Sequence, residues 1–155
     1  LEQEGFLIRL PNRHMQVAHL EPDHVSHIFR VIAVMAAELF TLIPSTASDV
    51  LSARAQALAS GQDKTLELEF HLALIAYVNN RYLEKAYQQF LDGYISYVIL
   101  HLKEECQESA LLLMELSAAI GRGQHDEIVQ ATQRYFLSLA EIMRQHMKDW
   151  ESAEA

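Results

Sequence analysis

The hydrophobic period of the chain changes once, near residue 21. In residues 1–20 the apolar positions come in short strand-like stretches. Gly5-Phe6-Leu7-Ile8-Arg9-Leu10 is a brief apolar run, Pro11-Asn12-Arg13-His14 is turn-like, and Met15-Gln16-Val17-Ala18-His19-Leu20 alternates. This pattern predicts a two-stranded hairpin. Two strands alone are marginal in water, so the segment reads as the end of a domain whose beginning is missing, and a chain that opens on leucine agrees with that.

From Pro22 onward the period is helical. Pro22 suits a first helical position and Asp23 complements the positive end of the helix dipole. Val25, Ile28, Phe29, Ile32, Met35, Ala36, Leu39 and Ile43 then recur at three-and-four spacing until Pro44 stops the helix. Ser48 and Asp49 are expected to cap a second helix that runs through Leu58 and closes near Gly61. A third helix is expected from about Lys64 to Val78, punctuated by Asn79 and Asn80. A fourth spans Tyr82 to about Leu102, with Leu83, Ala86, Phe90, Tyr94, Tyr97 and Val98 inward and a weak point at Gly93. A fifth runs from about Glu105 to Ile120 and ends in Gly121-Arg122-Gly123, and the last from about Asp126 to Trp150, with Ile128, Tyr135, Leu139, Ile142 and Met143 inward. Short connections between about six helices make an all-α, antiparallel bundle the economical architecture. The acidic tail, residues 151–155, is expected to fray.

Composition narrows what such a bundle does. The chain has 155 residues, enough for one domain with a substantial core. No run of about 18 uncharged apolar residues appears, and the N-terminus does not read as a basic leader followed by an apolar core, so a soluble, cytoplasmic protein without membrane partners is expected. Cys106 is the single cysteine, which excludes an internal disulfide and suits a reducing compartment. Twenty-one acidic against twelve basic side chains give a formal charge of -9, which disfavours a nucleic-acid face on most of this surface. Catalysis is not expected: no serine or cysteine nucleophile has a spaced base, no phosphate-cradling glycine loop is present, and Cys106 has no evident activating partner.

The candidate chemistry sits in Glu67-Leu68-Glu69-Phe70-His71, where a carboxylate and an imidazole four residues apart share one face of an apolar helix. Desolvating either without a partner costs about 1–3 kcal/mol, so they satisfy each other or they point at something. Taken alone, the pair is more often a local hydrogen bond or ion pair than a site. Tyr77, Tyr94, Tyr97 and Tyr135 are candidate pocket walls with hydroxyl handles, though such residues are more often plain core. His14, His19, His24, His27, His101, His125 and His146 share no face with Glu67 and read as solvated surface.

Arg30 on the first long helix, Glu67-x-x-Phe70-His71, Asn80 nine residues later, and Ala119-Ile120-Gly121-Arg122-Gly123 before a final long helix together resemble the FCD domain, the C-terminal effector domain of FadR-type GntR transcriptional regulators. The resemblance spans about Asp23 to Met147. It implies three segments: residues 1–20 as the wing of a preceding winged helix-turn-helix domain, residues 21–150 as the effector-binding and dimerisation domain, and residues 151–155 as a tail. It further implies operator DNA as a partner through the other domain, a homodimer, and a small organic effector inside the bundle.

Many FCD domains hold a metal with an aspartate and three histidines, and small carboxylate ligands complete the coordination. Here Glu67 stands at the aspartate position and His71 at the first histidine position, while the other two fall at about Leu113 and Tyr135. Leucine cannot bind a metal and a neutral phenol is a poor ligand for zinc or nickel. Two ligands of four make a weak site, so no cofactor is expected, with a divalent ion at Glu67 and His71 as the minor alternative. The resemblance places Arg30 toward the interior, where it would clamp an acidic effector or pair with Glu67 or Glu38. Asn80 matches the family's asparagine, and helix capping explains it equally. The expected ligand-binding set is therefore Arg30, Glu67, His71, Asn80 and Tyr135; a filled, purely structural dimerisation bundle is the competing reading.

Overall fold

The computed structural model describes residues 7–9, 15–17 and 22–154. The expected hairpin is present as β1 (Leu7–Arg9) and β2 (Met15–Val17), antiparallel, with Leu7 opposite Val17 and Arg9 opposite Met15. Its turn, with His14, and His19 lie outside the described residues. The other elements are helical, the α-helices being α1 (Pro22–Phe40), α2 (Ser48–Ala59), α3 (Thr65–Ala76), α4 (Arg81–Phe90), α5 (Gln107–Arg122) and α6 (His125–Glu154). The six-helix, all-α bundle expected from the periodicity is therefore the fold. No single helix among the described residues is long and apolar enough to cross a membrane.

α1 and α6 pack along each other as the long axis of the bundle, α2 lies against α5, and α5 closes onto α6. The core follows the stripes of the sequence: Val25, Phe29, Ile32, Ala36 and Leu39 from α1 meet Ile128, Tyr135, Phe136, Leu139 and Met143 from α6, all buried. Ile28, Met35 and Ile142, expected inward, lie only half-buried at the stripe edges.

Several boundaries differ from expectation for physical reasons. α1 ends at Phe40, and the chain tightens through Leu42 N–H to Leu39 O and Ile43 N–H to Phe40 O before Pro44. Ser48 does not cap α2; the cap position is Ala47, and the Ser48 hydroxyl instead donates to Ser117 O at 2.9 Å across to α5. Gly121, read as a helix terminator, is inside α5. A Cβ there would lie 2.6 Å from Ser48 Oγ, so the glycine is needed for close approach of the two helices. Gly123 is the terminator, with φ 67° and its N–H donating to Ala119 O and Ile120 O. α6 does not fray at Trp150 but continues to Glu154.

The fourth run is the largest departure. It does not stay α-helical to Leu102: after Phe90 the backbone widens into π-helical turns at Leu91–Ile95 and Val98–Leu102, the first containing Gly93. Each widened turn shifts the register of the side chains that follow. The buried stripe is accordingly Tyr87, Leu91, Tyr94, Ile95 and Val98, while Leu83, Ala86, Phe90 and Tyr97 are only half-buried. The run ends where Lys103 turns extended, at ψ 135°, with its N–H still donating to Val98 O at 3.0 Å.

Candidate functional site

α3 is short and apolar, and its buried positions Glu67, Phe70, His71, Leu74 and Ile75 fall on one helical face. Glu67 and His71 thus enter the core together with no exposure at all. They do not bond to each other. Each meets a partner from another element.

Glu67 is held by Lys103, whose Nζ donates to Oε1 at 2.7 Å and Oε2 at 2.8 Å, and by Tyr135, whose hydroxyl donates to Oε2 at 2.5 Å. Lys103 is itself only 5 % exposed and also donates to the Ser109 hydroxyl at the start of α5. His71 lies between two tyrosines, with Nε2 2.8 Å from the Tyr135 hydroxyl and Nδ1 2.5 Å from the Tyr87 hydroxyl. Phe136 packs against the same ring.

The protons in this network have one consistent arrangement. Burial, followed by the Glu67 charge, pushes the Tyr135 phenol well above its usual range, so Tyr135 keeps its proton and its hydroxyl donates a hydrogen bond to Glu67. Its oxygen is then the acceptor for His71, which requires hydrogen on Nε2. Burial, and secondarily the Lys103 charge, lowers the His71 pKa to about 3, leaving the imidazole neutral with Nδ1 bare. Burial also raises the Tyr87 phenol well above its usual range, and its hydroxyl donates to that bare nitrogen. The donors therefore run Tyr87 to His71 to Tyr135 to Glu67, where Lys103 arrives from the opposite side.

Of the residues expected at a site, three are brought together: Glu67, His71 and Tyr135. Arg30 is not. It follows the inward Phe29 by one position, about 100° around the helix, and is exposed on the outer side of α1, bordering shallow depressions beside Val31 and Val34. Its expected interior position is corrected accordingly, and Glu67 pairs with Lys103 instead. Asn80 accepts from Tyr82 N at 3.2 Å and Leu83 N at 3.1 Å as the cap of α4. Tyr77 is partly exposed at the end of α3 and Tyr94 is buried in the core. His24 and His27 stack on each other at the exposed start of α1, with ring centroids 6.2 Å apart. Cys106 is buried and burial raises its thiol pKa, the opposite of what a nucleophile needs.

Lys103, Ser109 and Tyr87 were missed. Tyr87 follows Leu83 by one helical turn and was within reach of the pattern. Lys103 was not, because the widened turns before it decide where its side chain goes.

A metal does not fit this donor set. Both ring nitrogens of His71 are held by tyrosine hydroxyls, both oxygens of Glu67 face an ammonium, and Leu113 is buried hydrocarbon. Among the described residues no group of three or more His, Cys, Asp or Glu is placed to hold an ion.

The polar network reaches the surface at one end. Lys103 and Ser109 line a cleft of about 540 Å³ between the π-helical end of the fourth run, the start of α5 and the C-terminal half of α6. Its rim carries Glu104, Glu105, Glu108, Glu141 and Asp149, together with Ser138 and His146. Neither this cleft nor the depressions beside Arg30 are lined by His71.

The described residues thus form an all-α bundle with a polar thread through its centre. More particularly, the FCD domain family matches residues 30–149, and the chain belongs to that family. A crystal structure of a transcriptional regulator (GntR family member) from Pseudomonas syringae pv. tomato str. DC3000 is similar in fold, with a TM-score of 0.68 at 16% identity over 96% of this chain and 67% of that one. No curated protein sequence matches the chain.

Proposed function

We propose that the chain is the signal-input part of a DNA-binding transcriptional regulator of the GntR type, in which a small organic effector alters operator binding by a homodimer. The observation that carries this reading is the buried thread from Tyr87 to Lys103, which ties α3, α4, the start of α5 and α6 together and opens on the cleft at Lys103 and Ser109. A ligand that takes over one bond of a network spanning four elements shifts the population of their relative arrangements. Glu67, His71 and Tyr135 are the sensing set, with Lys103 and Ser109 added at its mouth. The hairpin before α1 would be the wing of the DNA-binding domain. Arg30 is exposed, so it offers no interior clamp for an acidic effector. The carboxylates around the cleft favour a neutral or amine-bearing polar compound instead.

A second reading is favoured by one observation: Glu67, His71, Tyr87 and Tyr135 are all fully packed and mutually bonded, as in a purely structural dimerisation bundle. Thermal shift of the purified protein against a panel of polar metabolites, repeated on Ser109→Val, separates the two. A compound that raises Tm in the wild type and loses its effect in the variant supports sensing. Absence of any hit, together with unchanged dimer affinity across the panel, would sink the sensing reading.

A further inference from the structure

We infer that Lys103 is the resident cation of this bundle: its ammonium takes the place against Glu67 that a divalent ion would need, and the interior is metal-independent by construction.

Three features of the molecule carry this. Lys103 meets both carboxylate oxygens at 2.7 and 2.8 Å and also reaches the Ser109 hydroxyl, so the ammonium is surrounded by oxygens as a bound cation is. The pair is closed to solvent, with side-chain exposures of 4% and 0%, which makes the carboxylate dependent on an internal positive charge. Finally, the backbone is bent to deliver it. The π-helical turn Val98–Leu102 and the extended conformation at Lys103 end the helix at this residue, whose side chain then crosses to a carboxylate 36 positions earlier. The remaining groups are engaged, since the Tyr135 hydroxyl donates a hydrogen bond to Glu67 and both nitrogens of His71 bond tyrosines. A metal arriving here would have to displace the ammonium, strip a phenol proton and reorient the imidazole.

Lys103→Ala in the full chain tests this by chemical rescue. The variant removes the charge and leaves a channel of roughly its own volume from the cleft to Glu67. A fall in Tm of roughly 10 °C is expected, since an orphaned buried charge is strongly destabilising. Ethylammonium chloride should restore at least half of that fall, and sodium chloride at the same concentration should not. The wild type should keep its Tm within 1 °C or so in EDTA, and acid-released metal should be far below one equivalent. Stoichiometric zinc or nickel in the wild type, or a Tm lowered by EDTA, would overturn the inference. So would a Lys103→Ala protein as stable as the wild type, or one rescued equally by sodium. Should Lys103→Ala fail to fold, Lys103→Met with Glu67→Gln replaces it: the uncharged pair should be more stable than Lys103→Met alone, and equal stability would show that the charge match is not what Lys103 supplies.

Discussion

Tyr135 is the residue on which the interior network turns, because a single hydroxyl both donates to Glu67 and accepts from His71. Tyr135→Phe removes a bond to a charged group and orphans the Nε2 hydrogen in the same step, so a loss of ~2–3 kcal/mol is expected. Tyr87→Phe removes only the donor to a neutral nitrogen, and ~1–2 kcal/mol is expected. Urea denaturation of the two variants checks the order, and a larger loss for Tyr87→Phe would reverse the assigned direction of the protons. His71 adds a pH dependence of definite sign. Folded, it stays neutral down to about pH 3; unfolded, it takes up a proton near pH 6.5. Its contribution is thus fully present above about pH 6.5 and is lost as the pH falls, at up to ~1.4 kcal/mol per pH unit. The stability difference between wild type and His71→Gln, followed from pH 7 to pH 4, should shrink steadily toward acid. A constant difference would mean that the ring takes up its proton as readily in the fold as in the unfolded chain. The pairing of Glu67 with His71 on one face was legible in the sequence because helical spacing fixes it. The identity of their partners was not, because Lys103 and Tyr135 are 36 and 68 positions away from Glu67 and meet it only through packing.

Among the helices, the ones read correctly are those whose geometry is regular. α1 and α6 have long amphipathic stripes, and the inward residues named from spacing are largely the ones that meet. The fourth run departs from its pattern for a specific reason: a period of 3.6 cannot describe a segment that widens twice, so it puts Tyr97 inward and gives no sign of Lys103. Glycines were legible as punctuation but not as packing, and α5 shows the difference. Gly121 sits against Ser48, whose own Cβ would be 2.9 Å from an added methyl, while Ser48 Oγ is bonded to Ser117 O. Gly121→Ala should therefore cost ~1–3 kcal/mol although alanine is the better helix former by nearly ~1 kcal/mol. In the Gly121→Ala background, Ser48→Gly should recover more stability than Ser48→Ala, since only glycine removes the Cβ. Equal recovery by both would place the clash at the hydroxyl alone, and thermal melts of the four proteins decide it. The surface ion pair Arg134–Glu115 also links α5 to α6, but an exposed pair contributes no more than ~1 kcal/mol. The α5–α6 interface rests on its apolar residues, and the glycine contact belongs to the α2–α5 interface.

At the scale of the whole molecule, charge decides what the bundle can touch unaided. A formal charge of -9 and a cleft ringed by five carboxylates set up a field that repels a polyanion. Binding to duplex DNA draws its affinity from cations that displace condensed counterions, and twelve basic residues are here outweighed by twenty-one acidic ones. Several of the basic residues are already engaged: Lys103 is buried against Glu67, and Arg122, Arg134 and Arg144 face glutamates. If DNA is read by a separate winged-helix domain and the bundle only biases it, the two activities should separate physically. Residues 21–155 alone should bind a 30-base-pair duplex more weakly than ~10⁻⁴ M at 0.15 M salt, by fluorescence anisotropy, whatever its sequence. The same segment preceded by a winged-helix domain should bind specific duplexes by several orders of magnitude more tightly, with an affinity that falls steeply with salt. Micromolar binding by residues 21–155 alone would sink this division of labour, because it would require a cationic face that the acidic bundle does not present.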